Sequence, residues 1–102
     1  MITEDKPQQT KKAKLLIKRG QNVGAVYDIE TTKNWTIGRD STCDLQFYDK
    51  GLSRNHSMIS AEDGGFVVSD LGSTNGTYVN GKMIIRKPLL QGDIIRMGKI
   101  EI

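Results

Sequence analysis

From Ala13 onward no apolar spacing of 3.6 residues persists long enough to make a helix; short alternating runs recur between Gly, Asn and Asp clusters instead. The chain therefore reads as all-β. Ala13, Leu15 and Ile17 share one face of a first strand, and the segment 20–24 turns it into a second that aligns Ala25, Tyr27 and Ile29. Trp35 and Ile37 open a third strand that runs into Gly38-Arg39. Leu45 and Phe47 make a short fourth, and Asp49 to Asn55 has the polar, aperiodic signature of a loop.

Ser57 to Ala61 and Gly65 to Leu71 read as a hairpin closed by the three residues Glu62-Asp63-Gly64. Asn75-Gly76 and Asn80-Gly81 are the strongest turn dipeptides in the chain and lie close together. Ile95 and Met97 occupy odd positions but Ile100 and Ile102 even ones, so the parity flips at Gly98 and predicts a turn or bulge there. Roughly ten short strands at this spacing predict a β-sandwich of two mostly antiparallel sheets, with functional groups gathered on one loop-bearing end. Met1 to Lys12 is polar and reads as a flexible lead, leaving 13–102 as one folded domain.

The length of 102 residues suits a single core. Fifteen Lys and Arg against twelve Asp and Glu give a formal charge of +3 without a basic cluster, which speaks against a nucleic-acid partner. No run approaches the ~20 apolar residues of a membrane span. Cys43 and His56 are the only residues of their kinds, so an intrachain disulfide and a Cys/His zinc site are both excluded, and no metal or cofactor is expected. The lead lacks the apolar stretch of a secretory signal, so the expected location is intracellular and cytoplasmic, with the nucleus left open.

Two enzymatic readings fail on the residues. Gly76 to Lys82 nearly spells a phosphate-binding P-loop, but Met83 stands where Ser or Thr must bind magnesium, and the segment opens a strand rather than a helix. Ser53 and His56 suggest a nucleophile and its base, yet the glycine elbow that exposes such a serine is missing, and a lone histidine commonly braces a loop through a backbone carbonyl. No catalytic residue is assigned, and the chain is expected not to be an enzyme.

Taken together, Gly38-Arg39, Ser53-Arg54-Asn55-His56, the run from Asp70 through Thr74-Asn75-Gly76 to Thr77, and Asn80-Gly81 all lie at strand ends or loops. This ordered set, spread over about 45 residues, resembles the forkhead-associated (FHA) domain, and the likeness extends from about Ala13 to Ile102. The resemblance implies an eleven-stranded sandwich whose loops bind phosphothreonine peptides. A phosphoryl group carries about −1.5 to −2 charge and offers only acceptors, so its receptor needs guanidinium, hydroxyl and N–H donors.

By the same resemblance, Arg39 and Ser53 hold the phosphate, Arg54 adds a second cation and Thr74 shapes the pocket. Asn75, a donor and acceptor at once, pairs with the peptide backbone. Gly38, His56, Gly76 and Asn80 are implied as structural support of the site. The implied partner is a phosphothreonine-containing protein of a kinase pathway, met by a monomer; the alternative is a phosphate-independent interaction scaffold of the same fold. Cys43 and Leu45 are expected in the core. Thr3 and Thr10 are candidate modification sites whose phosphorylation would let the lead fold back onto the pocket.

Overall fold

The computed structural model describes residues 11–102; the expected flexible lead, with Thr3 and Thr10, lies outside the described residues apart from Lys11 and Lys12. Among the described residues there are eleven strands and no helix: β1 (Lys12–Leu16), β2 (Val26–Glu30), β3 (Trp35–Gly38), β4 (Leu45–Gln46), β5 (Ser57–Glu62) and β6 (Gly65–Asp70), followed by β7 (Thr77–Val79), β8 (Lys82–Ile84), β9 (Arg86–Pro88), β10 (Ile95–Met97) and β11 (Ile100–Glu101). Among the described residues no helix is long and apolar enough to cross a membrane.

One layer is the five-stranded sheet β4-β3-β5-β6-β9, and the other contains the four-stranded sheet β11-β10-β7-β8. The β1-β2 pair joins that second layer through Arg19 and Glu101, where the Lys18 amide donates to the Glu101 carbonyl over 2.7 Å. Every pairing is antiparallel except β3 with β4. A parallel neighbour ordinarily needs a long crossover. Here β4 has only two residues, and Asp44 clips it beside β3 by accepting the Thr36 amide at 2.9 Å.

The alternating positions meet between the layers, where Ile17, Ile29, Ile37, Leu45, Phe47 and Ile59 are at most 2% exposed. Val68, Val79, Met97 and Ile100 join them from the remaining strands. Cys43 and Leu45 are buried as the alternation predicts. Gly98 has φ +58° and turns β10 into β11, which is the physical origin of the parity flip.

One local expectation changes, and one division of the chain is added. The β5-β6 connection has two residues, not three, because Asp63 (φ 52°) and Gly64 (φ 78°) both take the left-handed conformation of a tight hairpin, freeing Glu62 to pair with Gly65. The segment after Asn80-Gly81 divides into two strands in different layers, β8 on β7 and β9 on β6. Pro88 is tolerated there because β9 is an edge strand.

Candidate functional site

Three loops meet at the end of the sandwich from which β5 departs and at which β6 arrives. They follow β3 (residues 39–44), precede β5 (47–56) and join β6 to β7 (71–76). The β3-β5 ladder sets the first contact. Beyond Ile37 the chain stays paired, with the Arg39 amide donating to the Ser53 carbonyl and the Asp40 amide to the Arg54 carbonyl, each over 3.1 Å. Gly38 makes this approach possible, since a Cβ at that position would collide with the Arg54 carbonyl.

The Arg39 guanidinium folds along the second loop, its Nε donating to the Leu52 carbonyl at 3.1 Å. Arg39 and Arg54 are exposed and, among the described residues, neither is ion-paired. The Ser53 hydroxyl accepts the Thr74 amide at 3.0 Å, and the Asn75 side-chain amide donates to the Gly51 carbonyl at 3.0 Å. Two bonds thus tie the second loop to the third, while Thr74 keeps its side chain exposed.

Beneath them lies His56, fully buried. The Ser53 amide donates to His56 Nδ1 over 3.0 Å, so Nδ1 is the unprotonated nitrogen and Nε2–H donates to the Gly76 carbonyl at 2.8 Å. A neutral imidazole with both nitrogens engaged in the backbone is a brace, and it offers no free base to the Ser53 hydroxyl. Gly76 itself has φ +90°.

A second, partly buried network pins the two layers together under the site. Asp70 Oδ1 accepts the hydroxyls of Ser73 (2.6 Å) and Thr77 (2.7 Å), while Oδ2 accepts the amides of Gly72 and Ser73. With its proton committed to Asp70, Thr77 Oγ1 accepts from Ser57 Oγ at 2.7 Å. Burial penalises the Asp70 carboxylate, but the bonds from Ser73 and Thr77 outweigh that penalty and hold its carboxyl below the usual range. Asp49 behaves alike: burial opposes its charge, and the amides of Gly51 and Lys99 prevail.

Arg39, Ser53, Arg54, Thr74 and Asn75 therefore share one rim, supported by Gly38, His56 and Gly76. Asn80 does not belong to that support. It sits in the β7-β8 turn with φ 52°, and its side chain bonds Asp93 (2.9 Å) and the Ile94 amide (3.0 Å), fastening the loop before β10 at the far end of β7. Asn80-Gly81 was legible as a turn, but which end it served depended on the sheet.

The roles of Asp49, Asp70, Ser73 and Thr77 were not assigned from the residues. The signal was present in Asp70-Leu71-Gly72-Ser73, where an Asp followed by Gly and Ser favours a side-chain-closed turn. Cys43 packs behind the first loop, its Sγ 3.2 Å from the Arg54 carbonyl. Burial, ahead of the lowering effect of bonds to Thr36 and Asp40, pushes this thiol up.

The family profile described as FHA domain matches residues 35–98. An oxoglutarate dehydrogenase inhibitor of Corynebacterium diphtheriae is 38% identical over 88 residues, covering 86% of this chain and 61% of that protein. The glycogen accumulation regulator GarA of Mycolicibacterium smegmatis is 36% identical over 90 residues, covering 88% of this chain and 56% of that protein. This chain thus spans about three-fifths of the length of the curated relatives it matches. A solved structure from a study of phosphothreonine-dependent FHA domain interactions superposes with a TM-score of 0.75 at 30% identity, covering 87% of this chain and 92% of the other.

Proposed function

The chain belongs to the FHA domain family, and from that premise we propose that it is a phosphothreonine-peptide recognition module that brings partner proteins together in a phosphorylation-dependent way. One observation carries the reading: Arg39 and Arg54, two exposed cations without ion-pair partners among the described residues, stand beside a Ser53 hydroxyl held in place by the Thr74 amide. Anion recognition needs donors held in advance, so that little ordering entropy is lost when the phosphate arrives.

In this reading Arg39 and the Ser53 hydroxyl proton meet the phosphate. Ser53 accepts the Thr74 amide through a lone pair and so keeps its hydrogen free to donate. Arg54 adds the second positive charge, and the Thr74 side chain borders the phosphate. Asn75 uses one amide hydrogen on Gly51, and its remaining hydrogen and carbonyl oxygen meet the peptide backbone. Gly38, His56 and Gly76 position these groups.

The module is residues 13–102, acting as a monomer in the cytoplasm without a cofactor or chemistry of its own; the relatives named as an inhibitor and a regulator support a non-enzymatic role. Its partner is a phosphothreonine-bearing protein.

Calorimetric titration of matched phosphothreonine and unphosphorylated peptides from a degenerate library tests this. Binding of the phosphorylated form alone is expected. Equal binding of both forms, undiminished in Arg39→Ala and in added salt, overturns it and leaves a phosphate-independent scaffold.

A further inference from the structure

The crossover from β8 to β9 passes beside the third recognition loop. The Asp70 amide donates to the Ile85 carbonyl over 2.8 Å, so Leu71, the first residue of that loop, follows directly on the contact. In the β7-β8 pair Thr77 stands opposite Ile84 and Tyr78 opposite Met83. Ile84 packs against the core, and alternation turns its neighbours Met83 and Ile85 outward. Met83 also reaches back over the loop, since a Cβ on Gly76 would lie 3.0 Å from its methyl carbon. Gly76 is the residue after Asn75, so Met83 borders the recognition rim.

Leu71, Met83 and Ile85 are 39%, 64% and 84% exposed, and Ile85 is the most exposed large apolar side chain among the described residues. A single apolar residue in water is ordinary, but a group of them adjoining a binding rim marks a contact surface.

Charge divides the rim in the same place. The first two loops carry Arg39, Asp40, Asp44, Asp49, Lys50 and Arg54, whereas residues 71–76 carry no charged side chain. The cations nearest the apolar group are engaged: Arg86, next to Ile85, pairs with Glu62 at the β5-β6 hairpin, and Arg96 stacks on Tyr78 at 4.1 Å.

We propose that Leu71, Met83 and Ile85 form an apolar shoulder that receives an aliphatic or aromatic side chain of the phosphothreonine partner, on one side of the phosphothreonine only. An extended peptide advances about 3.3 Å per residue, and Met83 touches the residue after Asn75, so the side chain received lies within about three residues of the phosphothreonine. The single side follows from the division of charge, because the opposite flank presents cations and acids. Met83 suits the task, being unbranched and able to repack around different side chains. The shoulder is continuous with the loop that carries Thr74 and Asn75, which assigns it to the bound segment rather than to a second copy of this chain. The proposal rests on phosphothreonine recognition at that rim and adds a determinant of which phosphothreonine segments bind.

The test uses the full chain and a blocked polyalanine peptide with one central phosphothreonine, leucine then replacing each alanine in turn, read by calorimetry. Leucine on one side of the phosphothreonine is expected to tighten binding about 5-fold or more, the effect of taking part of an aliphatic side chain out of water. The Met83 methyl resonance is expected to shift with that peptide and not with the all-alanine one. In the double variant Met83→Ser, Ile85→Ser the leucine gain is expected to shrink below about 2-fold, while affinity for the all-alanine phosphopeptide stays unchanged.

Phosphate-dependent binding indifferent to leucine at every position, or a leucine gain kept in full by the double variant, overturns the proposal and leaves phosphothreonine recognition standing. Loss of the all-alanine phosphopeptide in the double variant also overturns it, by making these side chains part of the phosphate site itself. Equal binding of phosphorylated and unphosphorylated peptides overturns both. A dimer of the free chain in sedimentation, abolished by the double variant, overturns it in favour of self-association.

Discussion

The Thr74 amide and the Ser53 hydroxyl are 21 positions apart in sequence and 3.0 Å apart in space. This bond fixes the Ser53 side chain by its lone pair and leaves its proton free, so one contact both closes the gap between two loops and aims a donor outward. The Ser53 amide is fixed in turn by His56, which is anchored to Gly76. Ser53 is therefore held at its side chain by the loop it faces and at its backbone by His56 of its own loop.

Arg39→Ala removes a charged donor from the rim while leaving the core intact. Phosphopeptide affinity is expected to fall by about 1.5 to 3 kcal/mol, the usual loss for a hydrogen bond to a charged group, or roughly 10- to 150-fold. The thermal midpoint is expected to stay within about 2 °C, because Arg39 is an exposed side chain. Calorimetry and scanning fluorimetry on the same samples check both halves.

Gly38→Ala acts through shape. The added methyl meets the Arg54 carbonyl, which is backbone and cannot rotate aside, so the second loop must move away from β3. A destabilisation of about 1 to 3 kcal/mol is expected, as for overpacked sites, with weaker phosphopeptide binding. Denaturant titration measures the first effect; an unchanged midpoint contradicts the close approach.

Asp70 and Asp49 set an acid limb. Both carboxyls are held below their ordinary range in the folded chain, so on acidification the unfolded chain takes up protons first. Their contribution to stability is present above the unfolded value of about 3.9 and is lost as pH falls through the lower folded values. The thermal midpoint is expected to drop below about pH 4, and Asp70→Asn is expected to lower it at neutral pH and flatten that drop. Melting curves across pH 2.5 to 7 on both proteins, at about fixed ionic strength, check the sign.

Cys43 is expected to resist alkylation. Its thiol is buried and pushed up, and only the thiolate attacks. Reaction with iodoacetamide near pH 8 is expected to be roughly tenfold or more slower in the folded chain than in urea. Equal rates would place this side chain outside the core.

The hairpins were legible because their cause is local. Asn80-Gly81 and Gly98 adopt positive φ for reasons contained in two or three residues, and the β1, β5 and β10 faces follow from alternation alone. The hairpin after β5 was misjudged by one residue because a three-residue and a two-residue turn both accept Asp63-Gly64; the pairing of Glu62 with Gly65 decides between them. The separation of β8 from β9 was invisible for a related reason: Lys82 to Pro88 carries no break in its local pattern, and only the partners β7 and β6 divide it.

Short-range sterics and the period-two burial of side chains are written into consecutive residues, so the all-β class, the turn positions and the apolar faces could be read from the chain itself, while the candidate binding residues came from the ordered motifs through the family they resemble. The convergence of Arg39, Ser53 and Asn75, the assignment of Asn80 to the opposite end and the Asp70 network could not. Each depends on which strands become neighbours, and that is settled by hydrogen bonds between backbone groups that every residue carries alike, whatever its side chain.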